Sequence, residues 1–491
     1  MQPVSVPVPD PAIAGPLREA LARANYNTGG VMVALGGDAE SSPGDAPVQA
    51  RRLGSNDQAL LVRLLLLGLD IDADRARTAL APARLEDLER GGLIEADSGG
   101  RVRCPIRISP FEGLLLAHDP EVVEDPAPDI VTGLNSAART LASLTPRRPA
   151  GRALDVGTGS GVQALLAAKH CRHVVATDVN PRALAFTELG AALSGFDHVE
   201  CREGSFFDPV EGEKFDLVVS NPPYVISPDA QLVYRDGGLE RDEVSRIAVT
   251  GAASHLAEGG LAMVLANWVH QAWEPWDQPL RDWLEGSDCD ALLLHHLSED
   301  GLEYAAKWNT RHRRDPEAHA QVLDRWTGYY RDAGIGALAT GGVALRRRSE
   351  GDPRITTAEM VTGPAGNGGE HVLRMLDAAA LLAEGSDDSL LATPLALVAG
   401  HSLHRDRPHT DEGYGPETVR MVLDDNAGLS SEFGPAVAAI LVGLDGTRTP
   451  GDLVPLLAQA LPGSDDEIRE AVLAAVRTLV EQGLVEPAAA D

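Results

Sequence analysis

Cysteine is scarce: four residues in 491, at Cys104, Cys171, Cys201 and Cys289. No two of them form a close metal- or redox-type pair, so reduced thiols in a cytoplasmic protein are the expectation. Long apolar runs are also missing. None approaches the ~18 residues that a membrane span needs. Residues 1–17 carry no basic stretch ahead of an apolar one, so no secretory signal is expected there. Basic charge is in short supply: 42 Lys and Arg face 73 Asp and Glu, a net charge of −31. The deficit is uneven, −5 over residues 1–148, −11 over 149–350 and −15 over 351–491. No region has the cationic surplus that phosphate neutralisation requires, which weighs against a duplex-binding protein. Two local clusters run the other way, Arg311, Arg313 and Arg314, and Arg346, Arg347 and Arg348. Aromatics make up only 4%, yet all six tryptophans fall between Trp268 and Trp326.

What is present is enough apolar residue, 44%, to bury real cores, and a length that suggests about three domains. Residues 1–148 begin Pro-rich, pass a Gly/Ser/Pro loop around residues 36–47, and then read as three short helices. These lie over 56–67, 72–80 and from Leu85. A Ser98-Gly99-Gly100 turn leads into alternating Val102, Cys104, Ile106 and Ile108, which reads as one arm of a hairpin. Three helices and a hairpin make a winged-helix-like plan. The chain end repeats the plan, with amphipathic helices over 453–461 and 466–482 and a closing Gly483-Leu484-Val485-Glu486. Both flanks are acidic, so protein contact or scaffolding is the expected role. Residues 351–440 show no chemistry. His401, His404 and His409 lack a Cys or carboxylate partner set, and His295 and His296 are adjacent on a strand and face opposite ways, so no metal is expected.

The middle, 149–350, alternates strand and helix. Strands are expected over 153–156, 174–178, 199–202, 215–220 and 261–266, with helices over 162–170, 181–193 and 247–256. This is an α/β pattern that implies a doubly wound, Rossmann-like parallel sheet with ligands at the carboxyl ends of its strands. Two later strands, 291–296 and 337–347, bracket a long Trp-containing segment, read as an inserted cover or a packed helical subdomain.

Four motifs sit at those strand ends. Asp155-Val156-Gly157-Thr158-Gly159-Ser160-Gly161 runs from strand to helix; its glycines permit a tight turn and close approach to a ligand. The spacing is G-x-G-x-G rather than the dinucleotide G-x-G-x-x-G. The acid at Asp155 orders the loop and suits an ammonium, where a pyrophosphate would be repelled. Asp178 and Val179 end the second strand, where a carboxylate can accept both ribose hydroxyls; a helix N-cap role is the alternative, which Asn180 can also fill. Ser205 and Phe206 follow the third strand, where a ring can flank adenine; either Phe206 or Phe207, not both, can face that side. Asn221-Pro222-Pro223-Tyr224 ends the fourth. Two prolines cannot continue a ladder. The Asn221 oxygen and the Pro222 carbonyl can accept the two N–H groups of a planar nitrogen, with Tyr224 stacking on it.

Residues 151–227 resemble the class I methyltransferases of the N-P-P-Y type. Among these they are most similar to the protein-(glutamine-N5) methyltransferases that modify translation release factors. The likeness runs through L-D-V-G-T-G-S-G, A-T-D-V-N-P-R-A-L, F-D-L-V-V-S-N-P-P-Y-V and D-G-G-L-E at residues 236–240. It implies S-adenosylmethionine as cofactor, held by Asp155, Gly157, Gly159, Gly161 and Asp178, and an acceptor amide held by Asn221. It also implies a protein partner, one related to translation. One departure is Ser205, where that family usually has Asp. Adenine-N6 and guanine-N2 methyltransferases carry the same N-P-P-Y, so a base amine in RNA or DNA is the alternative acceptor. A non-catalytic cofactor-binding regulator is the alternative from another class.

Overall fold

The computed structural model describes residues 5–7, 10–37, 46–120, 127–229, 239–407, 409–410, 413–415, 417–459 and 463–488. Residues 236–238 of the D-G-G-L-E stretch, Pro408 and most of the 36–47 loop lie outside these. Two compact units divide the chain, Met1–Ala142 with Arg148–Trp283 and Ser298–Ala339, and Ser143–Arg147 with Leu284–Leu297 and Thr340–Asp491.

The first unit holds the expected sheet. Its strands are β1 (Ala150–Val156), β2 (Cys171–Asp178), β3 (Val199–Glu203), β4 (Phe215–Ser220) and β5 (Leu256–His270). They lie in the order β5-β4-β1-β2-β3, every neighbouring pair parallel. The chain builds outward from β1 to β3 and then returns to the other side of β1, so a switch point falls between β1 and β4. There the connections diverge and leave a crevice. Leu154, Val175 and Val218 are wholly buried, as covered parallel strands require. Strand β5 is longer than expected: helix α3 (Glu243–His255) passes straight into it, and its register shifts between Leu256 and Leu261 around Gly259 at φ +71°.

Helix α1 (Val162–Ala168) follows β1, and α2 (Pro181–Ser194) follows β2. Asn180 caps α2 by accepting from the Arg182 amide, with Pro181 as the first helical residue. Ala183, Phe186, Leu189 and Leu193 of α2 are buried on one face and Leu184 and Ala191 on another, with Pro181 and Glu188 exposed between them. A helix with two buried faces is covered on both sides. Its outer face shares one core with Leu17, Leu21, Leu64 and Leu80 of the N-terminal region.

That region contains helices Ala73–Leu80 and Leu85–Arg90 and a small sheet in the order Ile71–Asp72, Arg101–Arg103, Glu95–Ala96. The alternation from Val102 to Ile108 is not one arm. Pro105 lacks the N–H to continue a ladder, so Arg101–Arg103 stays in the small sheet. Arg107–Phe111 forms a separate hairpin with Leu114–His118 across Glu112 (φ +47°) and Gly113 (φ +81°).

The second unit holds strands Cys289–Glu299, Ala337–Arg347 and Ile355–Glu359, the first and last paired parallel. Helices Gly368–Glu384 and Asp465–Glu481 follow, and Leu395–Leu397 pairs antiparallel with Val485–Pro487. Ser464 and Glu467 close a capping box at the start of the last helix.

At Gly161, the residue that caps α1, the turn packs closely on α2. Its φ is +78°, and a Cβ there would meet Thr187 Oγ1 at 2.9 Å and Thr187 Cα at 3.1 Å. Gly161→Ala is expected to cost about 2–4 kcal/mol from the left-handed backbone and the overlap together, read as a fall in denaturation midpoint.

Candidate cofactor and acceptor site

Strand pairing brings the four motifs to one edge. Val156 is paired with Ser220 on one side and Thr177 on the other, and Asp178 with Glu203. Asn221 and Gly157 each lie one residue past the Val156–Ser220 pair, level with Asp178. Ser220 Oγ donates to the Val156 carbonyl at 2.9 Å, which ties the ends of β4 and β1 together. Neighbouring strands are about 4.8 Å apart, so the glycine turn lies between the Asp178 carboxylate and the Asn221 amide.

The three glycines divide in role. Gly157 (φ +72°) and Gly159 (φ +57°) would place a Cβ in open space, whereas Gly161 is closed by Thr187. The first two therefore border open space. Asp155 is 2% exposed. Its Oδ2 accepts from Thr158 Oγ1 at 2.7 Å and from the Ala164 amide at 2.9 Å, so it orders the turn from below. Burial pushes its carboxyl up to about 7 against those two bonds. Asp178 Oδ2 accepts from the Gly159 amide at 3.0 Å and Oδ1 from the Asn180 amide at 2.9 Å; burial raises this carboxyl also. Val179 beside it is half exposed, an apolar surface next to the carboxylate.

Ser205 is exposed and Phe206 partly buried at φ +45°, with its carbonyl accepting from Thr177 Oγ1. Phe207 is the core ring, stacked on His255 at 4.7 Å and covering Gly251. Phe206 is the one left toward the strand ends.

Pro222 is buried, and its carbonyl accepts from the Tyr224 amide at 2.8 Å. One lone pair of that oxygen is thus engaged within the turn, and one remains. The Asn221 side chain makes no hydrogen bond among the described residues. Burial pushes the Tyr224 phenol up to about 12, so it is neutral near pH 7.

The segment beyond Tyr224 is held by residues that carry no motif. The inserted segment forms α4 (Gly301–Trp308) and α5 (Pro316–Asp332). Tyr330 donates to the Ile226 carbonyl at 2.8 Å, and Tyr304 Oη accepts from the Ile226 amide at 3.2 Å. Asn267, wholly buried on β5, bonds Tyr304 Oη at 2.6 Å. Trp326 Nε1 donates to Asp229 at 3.0 Å. Val225, Ile226, Tyr304, Trp326 and Tyr330 share one apolar cluster. The six tryptophans do not act together. Trp268 belongs to β5 and donates to the Trp276 carbonyl, while Trp273 is 84% exposed. The aromatic enrichment was the only sequence signal for these anchors.

The model of the methyltransferase small domain matches residues 130–275. Two models described as domains of unknown function match 23–104 and 374–487. The release factor glutamine methyltransferase of Cereibacter sphaeroides is 33% identical over 235 residues, 41% of this chain and 81% of that protein. The chain belongs to the release factor glutamine methyltransferase family. This places it among the class I methyltransferases, whose cofactor is S-adenosylmethionine. The Xylella fastidiosa relative is 34% identical over 155 residues, 29% of this chain and 55% of the relative; the chain thus spans about half the length of the first curated relatives. A solved ribosomal protein L11 methylase from Lactobacillus delbrueckii subsp. bulgaricus matches at 19% identity and TM-score 0.25, over 43% of this chain and 77% of that one. Among the described residues no helix is long and apolar enough to cross a membrane.

A carboxyl raised in the folded state contributes stability that is fully present below its unfolded value near 4 and is lost as pH rises through about 7. The protein is therefore expected to lose thermal stability between pH 4 and pH 8 more steeply than Asp155→Asn does. Melting curves of the two across that range check this; parallel profiles would contradict it.

Proposed function

We propose that this chain transfers the methyl group of S-adenosylmethionine to the side-chain amide nitrogen of a glutamine in a protein. The observation that carries the proposal is the Asn221 amide. It stands level with Gly157 and Asp178, has no hydrogen-bond partner among the described residues, and sits next to the buried Pro222.

Gly157 and Gly159 offer backbone to the cofactor's amino-acid part, Asp178 accepts its ribose hydroxyls, and Val179 with Phe206 flanks its base. Asp155 and Thr158 hold the turn in place. Ser205 stands on the base's polar edge, and Gly161 lets α1 begin directly behind the turn. The bound cofactor supplies an electrophilic methyl on a sulfonium.

An amide nitrogen is planar and weakly nucleophilic because its lone pair is delocalised. Asn221 Oδ1 and the free lone pair of the Pro222 carbonyl accept its two N–H groups. This fixes the nitrogen's orientation and favours the positive charge that develops there. Pro223 keeps the turn rigid, and Tyr224, neutral near pH 7, gives a flat face for the amide. The excess proton leaves to water after transfer. The relatives' name points to a release factor as the acceptor, and an acidic chain attracts a basic, translation-related protein. The net charge of −31 disfavours a nucleic-acid acceptor.

Asn221→Ala is expected to lower transfer at least about 100-fold while cofactor affinity changes little. Labelled S-adenosylmethionine incubated with cell extract, then divided between protease and nuclease treatment, reads the acceptor class. Label removed by protease supports the proposal. Label removed only by nuclease contradicts it, and a large loss of cofactor binding in the variant means that Asn221 serves the cofactor instead.

A further inference from the structure

The turn joining α4 and α5, Thr310–Arg314, is a cationic island in the −11 region. Arg311 and Arg313 are exposed, and neither has a carboxylate partner among the described residues. Arg325, by contrast, is paired with Asp229 at 2.8 Å. Three buried polar atoms around the turn lack any hydrogen bond: Trp308 Nε1, Asn309 Oδ1 and His319 Nδ1. Asn309 is only 1% exposed, and its Oδ1 stays unpaired beneath the turn. The two helices bring these groups together. His312 lies close enough to Arg311, His319 and Arg325 that their charges, added to burial, hold it below its ordinary value. The island adjoins the acceptor side, because Arg325 and Trp326 grip Asp229 on the segment that leaves Tyr224.

We propose that this turn receives an acidic stretch of the acceptor protein beside the methylated residue. Arg311 and Arg313 take its carboxylates. The proposal rests on the protein-acceptor reading above. Guanidinium forks match carboxylates in bidentate geometry. A nucleic acid is disfavoured because a long polyanion extends past the island over an acidic surface, whereas a short acidic stretch presents its charge only at the turn. A basic protein with an acidic stretch next to its glutamine suits both the surface and the island.

The test is fluorescence anisotropy with short glutamine-centred peptides flanked by Glu, Ser or Lys, and with an oligouridylate. The full chain is compared with its Arg311→Ala/Arg313→Ala variant. The wild type is expected to bind the Glu-flanked peptide about tenfold more tightly than the Ser-flanked one, and the variant to lose that preference with unchanged circular dichroism and cofactor binding. An Arg311→Lys/Arg313→Lys variant is expected to recover part of it. Equal binding of all peptides, a preference that survives the double variant, or arginine-dependent binding of the oligouridylate instead of the peptide would overturn the proposal. Binding needs no turnover, so failure to methylate any of these peptides would count against the glutamine acceptor and not against the island.

Discussion

Val156 sits between Ser220 and Thr177 in the sheet, and that register brings the glycine turn, Asp178 and Asn221 into one line. Each of these strands stops at the same level and gives way to a different kind of break. After β1 the break is a glycine turn, after β2 an aspartate and a capped helix, after β4 two prolines. Shifting any one strand by one residue would turn its side chains to the other face and remove one of the three groups from the line. The Ser220 hydroxyl on the Val156 carbonyl and the Asp155 carboxylate under the turn guard against such a shift. Both are wholly or almost wholly buried, where a hydrogen bond lost is costly.

The line of strand ends was legible in the sequence because each part of it is local. A glycine turn, an acid at a strand end and a Pro-Pro break each need only a few consecutive residues, and their spacing follows from strand and helix lengths. The strand bounds of β4 and of Ala337–Arg347 were readable for the same reason. The anchors were not. Tyr304 and Tyr330 reach Ile226 from far along the chain, and Asn267 reaches Tyr304. No periodicity encodes such pairings. The hairpin at Arg107–Phe111 was missed because its alternation continues that of Arg101–Arg103, and only Pro105 marks the division.

The inserted segment therefore does more than cover apolar surface. Trp326 and Tyr330 bury large rings, each worth on the order of 2–3 kcal/mol, and their polar tips bind Asp229 and Ile226. The chain that leaves the Pro-Pro turn is held at backbone level by Tyr330 and Tyr304. Rigid support behind the Asn221-Pro222-Pro223-Tyr224 turn is what positioning chemistry requires. The N-terminal core serves the other side of the site by covering the outer face of α2, the helix that Asp178 and Asn180 introduce.

The place of the cofactor decides whether the line of strand ends is the site. A crystal structure of the full chain with S-adenosylhomocysteine measures this directly. Ribose hydroxyls on Asp178, an amino-acid moiety over Gly157 and Gly159, and a sulfur facing the Asn221 amide are the expected result. A ligand whose ribose is away from Asp178, or whose sulfur points away from Asn221, would contradict the shared line of strand ends as the site.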